Sequence, residues 1–233
     1  MKRVPGTTYE AGITRFDERG ARRWIGRLVA ICLLGLLVLW VGIPVLRTGL
    51  LLASNPIRHV PVRPTHLAVE SIGFRATGGV QLRGWFVSSS PQAPAVILVP
   101  GFKADRTSMV PYARFLHAAG FNVLLYDSRG TGASSGTFSI GLREVRDVEG
   151  AATYLAKHAR LRDRRYGLLG VSLGAGVAIV AASHLRTVRA VVADSPYTNQ
   201  RSVVQHLDTL RLGPLTVPLA PIGPWLVGHA AFE

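Results

Sequence analysis

The sequence predicts an α/β fold with a mostly parallel sheet, preceded by one transmembrane helix. Short apolar segments such as 95–99 and 121–126 alternate with helical patterns, which is typical of buried parallel strands joined by helices. Two alternating segments precede them, and the turn-forming residues 76–79 between these two predict an antiparallel hairpin. Residues 28–46 contain no charged side chain and predict the membrane span.

The N-terminal part is predicted to anchor the chain in a membrane. Residues 1–27 are polar and net basic, whereas the apolar residues 28–46 would cross about 30 Å of hydrocarbon at about 1.5 Å per residue. The alternative is a cleaved signal peptide, but the apolar run is long and no small-residue cleavage site follows it. We therefore expect an uncleaved, single-pass anchor whose partner is the lipid bilayer. The preceding basic residues place the N-terminus in the cytoplasm and the following domain outside it.

The remaining chain divides into a linker, a core domain and a partial cap. Prolines 56, 61 and 64 mark residues 47–64 as a linker, residues 65–198 form the core, and residues 199–233 read as a partial cap or lid because prolines recur from 214 to 224. Six strands are predicted in the core, at 66–74, 80–87, 95–99, 121–126, 166–169 and 188–193. Three helices are predicted, one capped by Asp105 or Thr107 and ending at Gly120, one over 142–158 and one over 175–183. No strand is predicted after residue 193.

Charge and composition exclude several kinds of partner. The formal net charge is +14, but the arginines are scattered and not interleaved with aromatic residues, so we expect no nucleic-acid binding. Attraction to anionic lipid headgroups fits the predicted anchor better. The glycines of 130–136 miss the dinucleotide-binding spacing by one position, and we predict neither a cofactor nor a metal site. Cys32 is the single cysteine, so no internal disulfide forms.

A G-x-S-x-G pattern at 170–174 gives the first indication of chemistry. It follows an apolar run and opens a helical pattern of small residues, the strand–turn–helix context of a nucleophile elbow. We expect a strained backbone at Ser172 that lifts its hydroxyl clear of the sheet. Gly170 and Gly174 are expected because side chains two residues on either side of the serine would collide.

Four blocks in the right order resemble the alpha/beta-hydrolase superfamily. They are 99–102, 126–132, 170–174 and 193–196, and the resemblance covers residues 66–198. It is strongest to the membrane-anchored bacterial group related to serine aminopeptidases and prolyl-oligopeptidase-like esterases. It implies an alpha/beta-hydrolase-type sheet, with Ser172 as nucleophile and the backbone N–H groups of Phe102 and Leu173 as oxyanion hole. The family usually has His-Gly where this chain has Pro100-Gly101, a change that backbone donors would survive.

The acid and the base of the triad are less clear from the sequence. In this superfamily they follow the seventh and eighth strands, and those blocks have no counterpart here. Asp194 ends the sixth strand on the same edge as Ser172, and Asp208 and His229 keep the Ser–Asp–His order; these three are the candidates. Asp127 and Arg129 are predicted to be a structural pair that holds their loop.

The predicted function is therefore a membrane-anchored serine hydrolase acting on an ester, thioester or amide, in a C-terminally truncated form whose sixth strand is an unpaired edge. The alternative is a catalytically silent, membrane-anchored hydrolase-like binding module. A third interpretation is a membrane-surface protein whose basic charge is its function. The substrate stays open, because the acyl and leaving-group pockets come largely from the cap.

Overall fold

The computed structural model describes residues 18–43, 45–46, 50, 60–157, 165–197, 209–212 and 215–218. Its α-helices are α1 Glu18–Leu37, α2 Val110–Ala118, α3 Val145–Lys157 and α4 Leu173–His184. Its strands are β1 Glu70–Arg75, β2 Gln81–Val87, β3 Ala95–Val99, β4 Asn122–Tyr126, β5 Tyr166–Val171, β6 Val188–Asp194, β7 Thr209–Leu212 and β8 Leu215–Pro218. A π-helical turn, Val38–Gly42, follows α1, and a 3-10 turn, Arg106–Met109, leads into α2.

The core is a six-stranded mixed sheet in the order β1-β2-β4-β3-β5-β6. β2 pairs antiparallel with both β1 and β4, whereas β3 pairs parallel with β4 and β5, and β5 with β6. The predicted fold class, an N-terminal hairpin followed by a parallel sheet with helices, is confirmed. In this order the carboxyl ends of β3, β4, β5 and β6 meet at one edge of the sheet.

Two apolar layers cover the two faces of the sheet. Every residue of β3 and of β4 is buried, which explains why both strands are continuously apolar or nearly so. One face packs against α3 and α4 around Phe74, Tyr126 and Leu168, and the other packs against α2 around Trp85 and Met109. Each fully buried side chain of this size contributes about 1.5–3 kcal/mol.

The N-terminal helix lies outside this core. Residues Arg22–Gly42 form, within the described part, the one helix long and apolar enough to cross a bilayer, with 21 residues and a mean hydropathy of 2.3. Its large apolar side chains are exposed, for example Ile31 at 65% and Leu33 at 61%. A helix that buries none of its apolar surface does not contribute to the protein core.

The C-terminal region differs from its prediction. β7 and β8 pair antiparallel in a separate two-stranded sheet, where no strand was expected. β8 forms although it ends at Pro218, because both strands of a two-stranded sheet are edge strands, where proline is tolerated. β6 ends the six-stranded sheet within the described residues, and Val192 on it is 55% exposed.

Candidate active site

Ser172 stands at the junction of β5 and α4, at the carboxyl edge of the parallel strands. Its backbone has φ 53° and ψ −116°, a conformation that L-residues rarely adopt, and its side chain is exposed. Its N–H donates to the carbonyl of Asp194 at 2.8 Å, and its own carbonyl accepts from the N–H of Ala175 at 3.0 Å. These bonds fix the turn from both sides. The geometry expected of a nucleophile elbow is present.

A side chain at Gly170 or at Gly174 would overlap backbone atoms. The two positions face different parts of the backbone, however, whereas the sequence predicted a collision between side chains on either side of the serine. A methyl group on Gly170 would overlap the carbonyl of Gly174 and come within 2.7 Å of the Ala175 Cα. A methyl group on Gly174 would instead overlap the carbonyls of Val99 and Pro100, at the end of β3. Gly174 is therefore needed because α4 packs directly on β3.

The two expected oxyanion-hole residues come from adjacent loops. Leu173 is the first residue of α4, where backbone N–H groups have no intrahelical partner. Gly101 lies against the elbow, since a methyl group on it would be 3.2 Å from the Val171 carbonyl and 3.6 Å from the Ser172 Cβ. Phe102 follows directly, so the loop after β3 lies beside Ser172.

An apolar cluster, which the sequence did not indicate, surrounds the elbow. Phe138, Ile140 and Leu173 are buried together, and Phe102 and Tyr197 pack against them. The rings of Phe102 and Phe138 meet edge to face at 5.5 Å. These side chains place apolar surface beside Ser172, as an acyl substituent would require.

Glu144 holds the loop that carries Ile140. Its buried carboxylate accepts from the N–H and the hydroxyl of Ser139 and from the N–H of Gly141, each at 2.7 Å. Ile140 has φ 53° and is only 3% exposed, so these bonds stabilise a strained residue at the site. Since Glu144 belongs to this loop, α3 begins at Val145 and not at residue 142.

Asp194 reaches the same edge as Ser172, because it pairs with Val171 in the β5–β6 register. Its carboxylate accepts from the hydroxyl of Tyr112 at 2.7 Å and from that of Ser195 at 2.9 Å. The hydrogen bond from Tyr112, and after it that from Ser195, lowers the pKa of Asp194. The sequence placed Asp194 at this edge but gave no sign of Tyr112, which lies 82 residues away.

The described histidines do not approach Ser172. His184 ends α4, about 17 Å along the helix from the elbow, and His117 is in the last turn of α2. His66 precedes β1 and shares a cleft with His117. All three lie at the end of the sheet where the parallel strands begin, opposite to the carboxyl end that carries Ser172. The other candidates, Asp208 and His229, lie outside the described residues.

The predicted pair of Asp127 and Arg129 is wrong, because each has another partner. Asp127 is fully buried and accepts from the N–H of Arg106 at 3.0 Å and of Ala133 at 2.8 Å, and the Arg106 guanidinium lies 3.0 Å from its carboxylate. Arg129 instead binds Asp147 on α3. Asp127 and Arg129 both have structural partners, as expected, but they tie the loop to two different elements.

The Arg129–Asp147 ion pair has three hydrogen bonds. The Arg129 N–H donates to Asp147 Oδ2 at 2.8 Å, and its Nε and Nη2 donate to Oδ1 at 2.9 and 2.7 Å. The exposed side-chain fractions are 5% for the arginine and none for the aspartate. Burial raises the pKa of Asp147 to about 6, against the opposing effect of Arg129. The glycine-rich loop after β4 is thereby fixed to α3.

Comparisons with known proteins identify relatives across this core. The family model of X-Pro dipeptidyl-peptidases (S15 family) matches residues 78–212. Polyketide transferase grgF of Penicillium sp is 30% identical over 131 residues, 54% of this chain and 45% of that protein. Thiohydrolase apmlB of Arthrinium phaeospermum is 31% identical over 131 residues, 54% of this chain and 43% of that protein. The esterase Pf2001 of Pyrococcus furiosus superimposes with a TM-score of 0.57 at 30% identity, over 61% of this chain and 58% of that one.

The chain spans a little under half the length of the curated relatives that it matches first, since the matched shares of their lengths are 45% and 46%. The matched region contains the strands β2 to β7, the elbow and α4. The similarity therefore concerns the part of the fold that carries Ser172.

Proposed function

Because the chain belongs to the X-Pro dipeptidyl-peptidase (S15) family, within the alpha/beta hydrolases, we propose that it is a serine hydrolase whose nucleophile is Ser172. The reaction class is attack of the Ser172 hydroxyl on an ester, thioester or amide carbonyl, followed by hydrolysis of the acyl-enzyme. The observation that carries the proposal is the exposed serine at φ 53° between Gly170 and Gly174, at the head of α4. The names of the relatives include an esterase, a thiohydrolase and a peptidase family, which supports an acyl carbonyl as the target.

The surroundings of Ser172 support the same chemistry. The N–H of Leu173 at the start of α4 and that of Phe102 beside Gly101 are proposed to hold the oxyanion, because donors set in place before the reaction stabilise the charge that develops on the tetrahedral intermediate. The apolar cluster of Phe138, Ile140 and Leu173 is proposed to receive the acyl side. No metal or cofactor is needed for either step.

A hydroxyl also needs a base and a group that orients the base. Asp194, with its lowered pKa, is proposed as an acid that stays ionised at neutral pH beside the elbow. Asp208 and His229 complete the candidates, and the order Ser172–Asp208–His229 matches that of the family. A triad of this kind requires His229 to reach the carboxyl edge of the sheet.

Active-site labelling tests the proposal directly. Incubation of the full chain with a fluorophosphonate probe is expected to modify one serine, and peptide mass spectrometry is expected to identify it as Ser172. Ser172→Ala should prevent labelling and Ser195→Ala should not abolish it. A wild-type chain that takes up no probe would support the catalytically silent, membrane-anchored module instead.

We further propose that Arg22–Gly42 anchors the protein in a membrane, with the N-terminus in the cytoplasm and the hydrolase domain outside. Support comes from the length, hydropathy and exposed side chains of the helix and from Arg22, Arg23 and Arg27 at its start. The full chain is expected to stay in the membrane fraction after alkaline carbonate extraction, and a variant lacking residues 1–46 is expected to be released. Release of the full chain would refute the anchor.

A further inference from the structure

A second cleft lies away from the elbow, on the exposed face of β1 and β2. It has a volume of about 460 Å³, and its lining includes Trp85 and three arginines, Arg63, Arg83 and Arg106. β1 and β2 form the opposite edge of the sheet from β5 and β6. The cleft is therefore separate from the proposed active site.

Arg106 forms the buried side of the cleft. Its guanidinium lies 4.8 Å from the centre of the Trp85 ring, and the residue is 5% exposed. Its Nη2 pairs with Asp127, but its Nε is buried without a hydrogen-bond partner among the described residues. A buried donor left unsatisfied costs about 1–3 kcal/mol, so an acceptor in the cleft would be favourable.

Arg63 and Arg83 add positive charge at the mouth of the cleft. Arg63 donates to the hydroxyl of Ser71 at 2.6 Å, and Arg83 crosses the backbone of Gly73, where a methyl group would lie 2.9 Å from its Nη1. Neither arginine belongs to the two buried ion pairs of the described residues, Arg106–Asp127 and Arg129–Asp147. The charge of Arg106 is offset by Asp127, whereas Arg63 and Arg83 form no ion pair of this kind with another described residue.

The charges of Arg83 and Arg106 repel each other. Burial lowers the pKa of Arg106 first, and the charge of Arg83 lowers it further, while Asp127 and Asp105 act in the opposite direction. A surface arginine alone is ordinarily a solvated side chain. Here Arg63 and Arg83 line the same cleft as Arg106, which is buried against the Trp85 ring and whose Nε has no hydrogen-bond partner among the described residues. This arrangement is suited to an anion.

We infer that this cleft binds a phosphate group through Arg63, Arg83 and Arg106. Guanidinium groups match the geometry of phosphate oxygens and make charge-assisted hydrogen bonds with them. The phosphate can come from a phospholipid or from free phosphate. The lipid source rests on the proposed anchor. Val60 lines the cleft and is 83% exposed, and it follows Gly42 by 18 residues, so it lies at most about 65 Å from the end of the anchor helix.

Calorimetric titration of the full chain in a nonionic detergent tests the site. Inorganic phosphate is one probe and dihexanoyl phosphatidylglycerol, below its critical micelle concentration, is the other, both at constant ionic strength. The wild type is expected to bind at least one probe, and Arg63→Gln/Arg83→Gln is expected to weaken binding about ten-fold or more. The tighter probe identifies the source of the phosphate.

The matched control is Arg186→Gln/Arg189→Gln, which removes two exposed arginines next to and on β6. It should bind the probes like the wild type, and thermal unfolding should show that both double variants remain folded. Equal weakening by the two double variants would mean that net charge alone attracts the anion, and would overturn the site, as would a wild type that binds neither probe. Fluorophosphonate labelling at Ser172 reports on the active site independently of either outcome.

Discussion

Ser172→Ala is expected to lower kcat for a short-chain p-nitrophenyl ester by about 10³-fold or more. The substitution removes the oxygen proposed to attack but leaves the elbow backbone, the start of α4 and the apolar cluster in place. Loss of the nucleophile in a serine hydrolase leaves only the small residual rate enhancement that binding and the oxyanion hole provide. Initial rates of the purified wild-type and variant chains measure the effect.

Ser183→Ala is the matched control, because Ser183 is on the same helix, is exposed and donates to the carbonyl of Val180 at 2.7 Å. Its rate should equal that of the wild type. Turnover that persists in Ser172→Ala would exclude Ser172 as the nucleophile. A wild type without turnover on any ester, thioester or amide tested would favour the silent module.

The fold was largely predictable because its strands and turns carry strong local signals. The continuous apolar residues of β3 and β4 and the strand–turn–helix pattern around Ser172 led to the correct element types. The hairpin of β7 and β8 was missed, because short alternating strands between prolines resemble irregular segments. Its residues 209–218 contain apolar and polar alternation that the prolines obscured.

The side-chain partners at the site were much less predictable. Asp127 and Arg129 are two residues apart and of opposite charge, which suggested a pair, yet the chain turns at Arg129, so the two side chains need not face each other. Asp127 therefore meets Arg106 before α2, and Arg129 meets Asp147 on α3. Only the packing of the helices on the sheet decides these contacts.

The same limit applies to the elbow. The sequence predicted the strained serine, since this motif encodes its own backbone geometry, but not that Gly174 would be needed where α4 packs on β3. It did not predict that Tyr112 would bind Asp194, because that contact depends on how α2 lies beside β6. Of the histidines it offered His229 as a candidate, which lies outside the described residues, and the described histidines are at the end of the sheet opposite to Ser172.

Asp147→Ala is expected to lower the free energy of unfolding by about 4 kcal/mol, because it leaves the Arg129 guanidinium buried without its carboxylate. Urea denaturation of the purified chains measures this loss. Glu149→Ala removes the same charge from the same helix two residues later, at a half-buried position, and should change stability by less than about 1 kcal/mol.

The double variant Arg129→Met/Asp147→Leu tests whether the intact ion pair stabilises the fold, or whether the fold is destabilised only when one charge loses its partner. Replacing both charges with apolar side chains of similar size removes the cost of burying them, so this variant should recover most of the stability that Asp147→Ala loses. Recovery would show that the loss arises from one stranded charge. If the double variant stays as unstable as Asp147→Ala, the hydrogen bond that the Arg129 N–H donates to Asp147 is what the fold requires, because that bond is absent from both variants.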